Sequence, residues 1–171
     1  MPVRPEIFRF EDDGETPNNP RLPLVVYRNA LALAGAADPA ALFEEAFARH
    51  GWPDGWRNGI FDFLHFHSGT HEVLGIARGQ TTVEFGGAKG REVDLRAGDV
   101  AILPAGTGHR RTACSADLLV VGAYPKGGTY DQPRPTQMSH GAAVAAVART
   151  PLPDQDPVYG CDGPLIALWK A

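Results

Sequence analysis

Residues 59–79 read Gly-Ile-Phe-Asp-Phe-Leu-His-Phe-His-Ser-Gly-Thr-His-Glu-Val-Leu-Gly-Ile-Ala-Arg-Gly, and how this stretch is divided decides the fold. Taken as a strand, its first half alternates between two faces, so Phe61, Phe63, His65 and His67 share one side. Ser68-Gly69-Thr70 then turns the chain, and a second strand opens near Glu72 with Leu74 and Ile76 on the same face as that carboxylate. Two imidazoles and a carboxylate on otherwise apolar strand faces are costly to bury unless something binds them. A divalent metal is the simplest partner, because imidazole and carboxylate are common ligands of iron, manganese, nickel and zinc.

Toward the C-terminus, Thr81–Phe85 and Glu92–Leu95 read as strands joined by the glycine-rich connection Gly86–Gly90. Gly98-Asp99 turns into an apolar strand, Val100–Leu103, which Pro104 ends, and Leu118–Tyr124 is a further apolar strand. Short strands separated by glycine turns, with no helices between them, indicate an all-β antiparallel barrel or jelly roll. About six strands fall between Gly59 and Tyr124, too few to close such a barrel. Leu24–Tyr27 and Leu165–Trp169 are expected to complete it.

Upstream, Glu11–Pro23 is rich in Asp, Gly, Asn and Pro and cannot form regular structure for long, and its run Pro17–Pro20 is expected to be an ordered turn or a draped arm. Asp38-Pro39 is a helix start, and Leu42, Phe43, Ala46 and Phe47 fall on one face of a helix ending near His50-Gly51. After Tyr124 the chain is Pro- and Gly-rich, interrupted by a weak helical pattern at Ala142–Arg149. Coil of that length is either a lid or packing around the barrel.

Barrel strands bring distant residues together, which directs attention to His109. It follows Leu103-Pro104-Ala105-Gly106-Thr107-Gly108, where proline ends a strand and glycines allow a tight turn before the histidine re-enters the next strand. The two segments together resemble the cupin superfamily. Its first motif (Gly, five residues, His-x-His, three or four residues, Glu, six residues, Gly) is matched at Gly59, His65, His67, Glu72 and Gly79. Its second (Gly, five residues, Pro-x-Gly, two residues, His, three residues, Asn) is matched at Gly98, Pro104, Gly106 and His109, and departs at Ala113. The chain is similar, more closely, to the YjlB-type single-domain cupins, through the runs at Pro17–Pro23, His71–Gly75, Pro104–His109, Val121–Pro125 and Asp156–Gly160.

The resemblance implies one domain over 1–171, built as a cupin-type double-stranded β-helix. An N-terminal arm and helix would occupy 1–58, the barrel core 59–124, and a coil-rich C-terminal segment with a closing strand 125–171. It also implies that His65, His67 and His109 each offer an imidazole nitrogen to a divalent metal and Glu72 a carboxylate oxygen. Four such ligands on an octahedral ion leave about two positions open. The resemblance carries fold and metal site, but no substrate.

Other residues have plainer expectations. Parity puts His71 on the opposite face or in the turn, at the surface or behind the ligands. His50 complements its helix dipole, and His140 carries no assignment. Arg110 and Arg111 are expected as a solvated pair on a strand edge, with a clamp on a substrate carboxylate as the alternative. Tyr124 is expected in the core, with a cavity-facing hydroxyl as the alternative, and Cys114 as a buried inert thiol. Ile60, Leu64 and Phe66 form a second apolar face needing cover from the arm, the helix or another subunit; dimers are common among the cupins the chain resembles, so a homodimer is expected.

The 171 residues suffice for one domain with a real core, and a net charge of -4 without a basic stripe excludes nucleic acid and anionic membrane as electrostatic partners. Cys114 and Cys161 have no metal-like or redox-like spacing and are expected as free thiols. Met1–Phe10 lacks the apolar core of a signal peptide, and no apolar run is long enough to cross a bilayer, which together predict a cytoplasmic protein. The expected function is that of a metal-dependent enzyme of oxygenase, isomerase or decarboxylase type acting on a small organic molecule. The alternative is a non-catalytic small-molecule or metal-sensing protein.

Overall fold

Strand alternation sorts the apolar side chains between two cores. The structure is a computed structural model and describes residues 3–171. In chain order the strands are β1 (Glu6–Phe8), β2 (Leu24–Tyr27), β3 (Trp56–Asn58), β4 (Glu72–Arg78), β5 (Gln80–Phe85), β6 (Arg91–Arg96), β7 (Val100–Leu103), β8 (His109–Cys114) and β9 (Leu119–Ala123). Two antiparallel sheets form, one in the order β1-β2-β7-β4-β9-β3 and a smaller one in the order β6-β5-β8. Leu24 and Val26 of β2, Leu74 and Ile76 of β4, and Ala101 and Leu103 of β7 meet Val83, Phe85, Val93 and Leu95 of the smaller sheet. This is the barrel core of an all-β jelly roll.

The alternate residues of the same strands, Val25, Tyr27, Val73, Ala77, Val100 and Ile102, enter a second core. It is completed by Trp52 and by Phe43 and Phe47 of α1 (Pro39–Arg49). A sheet covered on both faces has no solvent side, which is why these strands read as unbroken apolar runs. Helix α1 lies so close to β4 that a Cβ at Gly75 would overlap the Phe43 ring. On α1 the buried positions are Ala40, Phe43, Ala46 and Phe47, while Leu42 is exposed.

Two expected strands are absent among the described residues. Leu165–Trp169, expected to close the barrel, lies in α3 (Pro164–Lys170), with Leu165 and Trp169 buried in the second core. A five-residue apolar run suits either conformation, and Pro164 at the first helical turn decides for helix. The larger sheet ends instead on β1 and β3, which the sequence did not announce.

Residues 59–67 likewise make no ladder; His65 alone forms a bridge, to His109. Their backbone groups go to scattered partners: Phe66 N–H to Pro133 O at 3.1 Å, Gly106 N–H to His67 O at 2.7 Å, and Arg111 N–H to Phe61 O at 2.8 Å. The expected parity survives, since the Phe61 and Phe63 rings stack at 4.7 Å and both lie beside His65. Ile60 turns into the barrel core and Phe66 is buried, so the chain itself covers two of the three residues thought to need a second subunit.

The C-terminal segment contains α2 (His140–Arg149), where a helix was expected, capped by Ser139 Oγ accepting from Ala142 N–H at 3.2 Å. Fully buried Asp156 fastens the segment to β2. Its Oδ1 accepts from the N–H groups of Val158 and Tyr159 at 2.9 and 3.1 Å, and its Oδ2 from Leu165 N–H at 3.2 Å and from the Tyr27 hydroxyl. No helix of the described residues is long and apolar enough to cross a membrane.

Candidate metal centre

Strand β4 begins with Glu72 on its barrel-facing side, and β8 begins with His109. The turn before His109 needs glycine: Gly106 has φ of +90°, and a Cβ there would overlap the backbone oxygen of Asn18. The N-terminal arm locks this turn. Asn18 Nδ2 donates to Gly86 O at 2.9 Å while its Oδ1 accepts from Gly108 N–H at 3.1 Å, and Asn19 Nδ2 donates to Ala105 O at 3.1 Å. Reciprocal bonds from His65 N–H to His109 O at 3.2 Å and from His109 N–H to His65 O at 2.9 Å then set the two rings 4.1 Å apart.

The structure brings together all four residues singled out as ligands. One ring nitrogen from each of His65, His67 and His109 lies within 4.8 Å of the others. Glu72 Oε2 sits 3.0 Å from His67 Nε2 and 3.2 Å from His109 Nε2. None of the four residues is more than 4% exposed.

The outward nitrogens settle which atoms face inward. Nδ1 of His65 is 3.0 Å from Phe63 O, that of His67 2.6 Å from Asp131 O, and that of His109 3.0 Å from Thr107 O. A carbonyl only accepts, so each Nδ1 carries the proton and a neutral ring turns a bare Nε2 lone pair inward. In that state three lone pairs and a carboxylate converge, and only a cation, a proton or a metal, can lie among them. Such a set fits a cation.

The electrostatics match. Burial disfavours ionised Glu72, but the charge of His67 and hydrogen bonds from His109 and His67 outweigh it and hold the carboxyl well below its usual range. Burial disfavours protonated His67 as well, and there Glu72 wins and pushes the imidazole up. His65 is driven down to about 3, first by burial and then by the charge of His109, so it stays a neutral donor of its lone pair. A proton between His67 and Glu72 occupies the place a metal would take.

A cavity of about 800 Å³ opens from the cluster, walled by Trp56, Phe61, Leu74, Leu118, Tyr124 and Tyr130. Tyr124 thus takes the cavity-facing alternative; its hydroxyl accepts from Trp56 Nε1–H at 2.9 Å. The segment after Tyr124 straps across this end, with Thr129 N–H bonded to Gly69 O at 2.7 Å and Asp131 Oδ1 accepting from Ser68 N–H at 2.6 Å. Asp131, Asn18 and Asn19 went unassigned in the sequence. Each acts on the histidines through backbone or turn geometry, which no spacing rule reports.

The remaining residues sort differently. His71 is buried on the far face: its Nδ1 accepts from Ala105 N–H at 2.9 Å, its Nε2 donates to Pro151 O at 3.1 Å, and its ring packs on Trp169. His50 stands at the C-terminal end of α1 and donates to Pro157 O at 3.0 Å, and His140 meets Asp12 at 2.9 Å. Arg110 and Arg111 are not a pair; Arg110 bonds Glu84 at 2.9 Å, while Arg111 lines the cavity. Cys114 is exposed, where a buried thiol was expected, and both cysteines are free.

YjlB, an uncharacterised protein of Bacillus subtilis (strain 168), is 40% identical over 164 residues, which is 96% of this chain and 96% of that protein. The chain belongs to the YjlB-like cupins. No family model matches it. Among solved structures, this YjlB-like chain aligns with an oxalate decarboxylase variant of B. subtilis at 19% identity and a TM-score of 0.37, over 66% of this chain and 22% of that one. An acireductone dioxygenase from Bacillus anthracis with cadmium in its active centre gives 18% and 0.38, over 53% and 64% of the two chains. A TDP-quinovose 3,4-ketoisomerase from Campylobacter jejuni gives 14% and 0.41, over 55% and 78%. Alignments this loose transfer no chemistry. Ala113, where the second cupin motif is broken, is an exposed residue of β8 and takes nothing from the four convergent groups.

Proposed function

We propose that His65, His67, Glu72 and His109 bind one divalent metal and that the chain is a metal-dependent enzyme acting on a small organic molecule held in the adjoining cavity. The observation that carries this is the set of three Nδ1–carbonyl contacts, which turns all three Nε2 atoms and the Glu72 carboxylate toward one centre. Imidazole and carboxylate donors suit iron, manganese, nickel or zinc, and about two positions stay open for ligands. When bound, such an ion supplies either a Lewis acid or a seat for dioxygen, the choices behind isomerase or decarboxylase and oxygenase chemistry.

The chain's own residues supply the rest. Phe63, Thr107 and Asp131 carbonyls fix the rings and make them better donors. The volume of about 800 Å³ lies within the range of small-molecule sites, roughly 300–1,000 Å³. Because Trp56 donates to the Tyr124 oxygen, that phenol's own proton is directed away from Trp56, toward Tyr130 and the cavity they share. Burial first, then the charge of Glu72, raise its pKa, so it acts as a donor and not as a phenolate.

Metal analysis of protein purified without chelator, followed by screening for dioxygen uptake and for substrate loss, tests this. One metal per chain and turnover of a small molecule are expected. A chain that takes up none of iron, manganese, nickel or zinc overturns the metal centre; metal with tight ligand binding and no turnover makes it a binding protein.

A further inference from the structure

We propose that Arg111 is the carboxylate-binding residue of this cavity. Its substrate is then a small organic acid whose carboxylate is separated by an apolar spacer from the oxygen that reaches the metal. The proposal rests on the metal centre described above and names the class of molecule it would serve.

Arg111 and His109 stand two residues apart on β8, and their partners on β5 are Val83 and Phe85, both in the barrel core. They therefore share the inward face, about 7 Å apart along the strand. Arg110, between them, points outward and is neutralised by Glu84. Arg28, Arg49 and Arg57 are likewise paired with acids, whereas no ion pair engages Arg111 among the described residues.

The guanidinium is held, not free. Nε donates to Ile60 O at 3.0 Å and Nη1 to Cys114 Sγ at 3.2 Å. A guanidinium has five N–H donors, so about three remain for a ligand, in the planar fork that matches a carboxylate. The other charged groups lining the cavity are Glu72, tied to the histidines, and Asp54, which is exposed. Ile60, Phe61 and Leu118 wall the same cavity, and they favour methylenes over further polar groups.

Chelator-treated protein loaded with Mn²⁺ and titrated calorimetrically with malonate, succinate, glutarate, adipate and butyrate tests the assignment. Glutarate or adipate is expected to bind at least about tenfold more tightly than butyrate, one charge-assisted pair being worth that much. Arg111→Gln should lose about tenfold toward the preferred dicarboxylate with Mn²⁺ affinity unchanged, which also reports that the variant is folded. Arg111→Lys should recover part of the loss, and Arg110→Gln should match the wild type. Dicarboxylate binding that is absent, or indifferent to Arg111, overturns this assignment while leaving the metal centre standing. If Mn²⁺ does not load, the titrations are run with Fe²⁺, Ni²⁺ or Zn²⁺, and failure to take up any of the four overturns the metal centre and this assignment with it.

Discussion

Two sets of buried polar groups lie on opposite sides of the larger sheet, and the adjacent residues His71 and Glu72 belong to different ones. On the helix side, His71 has both ring nitrogens engaged by backbone groups, and Asp156 accepts from three N–H groups and the Tyr27 hydroxyl. On the barrel side, Glu72 faces His67 and His109, whose only donors are turned away onto carbonyls. The first cluster is closed, with every acceptor met by a donor. The second has its Nδ1 donors spent outside it, and whatever joins Glu72 to His67 and His109 must be a cation, a proton or a metal. Buried polar groups that are complete hold a fold together, and the set whose Nδ1 protons are spent elsewhere is where we propose the metal binds.

The closed cluster should break most expensively. Asp156→Ala leaves the Val158 and Tyr159 N–H groups and the Tyr27 phenol proton without their acceptor, and denaturant unfolding should show a loss of about 3–5 kcal/mol, with metal content of the folded fraction unchanged.

Next comes pH. Burial holds folded His71 at about 4, below its ordinary 6.5, so between these values the unfolded chain takes up a proton that the folded chain refuses. Stability is full above about 6.5 and falls with pH through about 4, by on the order of 2–3 kcal/mol. Unfolding curves across that window should show the decline, and His71→Gln should flatten it.

The open cluster should answer differently. Glu72→Gln should lower metal affinity by more than about tenfold while moving metal-free stability by less than about 1 kcal/mol, since it removes one of the facing acceptors. Asn18→Ala should cost about 1 kcal/mol and weaken metal binding slightly, because the turn before His109 loses its clasp. A drop in metal-free stability for Glu72→Gln as large as that for Asp156→Ala would erase the distinction between the clusters.

Much of this was readable from the sequence because the chemistry is local. His65, His67 and Glu72 lie within one turn of chain, and the proline and glycines before His109 announce its return. Val100–Leu103 and Leu24–Tyr27 form strands over the predicted residues, as sheet strands buried on both faces should read. The misreadings arose where long-range partners decide. Residues 59–67 have the alternation of a strand, yet their N–H and C=O groups are taken by Pro133, Gly106 and Arg111 and not by a neighbouring ladder. Leu165–Trp169 is apolar enough for either conformation, and its seat against β2 was invisible. Arg110 and Arg111 looked equivalent in sequence, and strand parity gives one to Glu84 and the other to the cavity.

The most direct measurement is anomalous diffraction from crystals soaked with Mn²⁺, recorded on either side of the manganese edge. The account predicts a single strong peak bonded to Nε2 of His65, His67 and His109 and to a Glu72 oxygen, with the three Nδ1–carbonyl bonds intact. A metal-soaked crystal with no peak there, and His67 still within hydrogen-bond reach of Glu72, would contradict it.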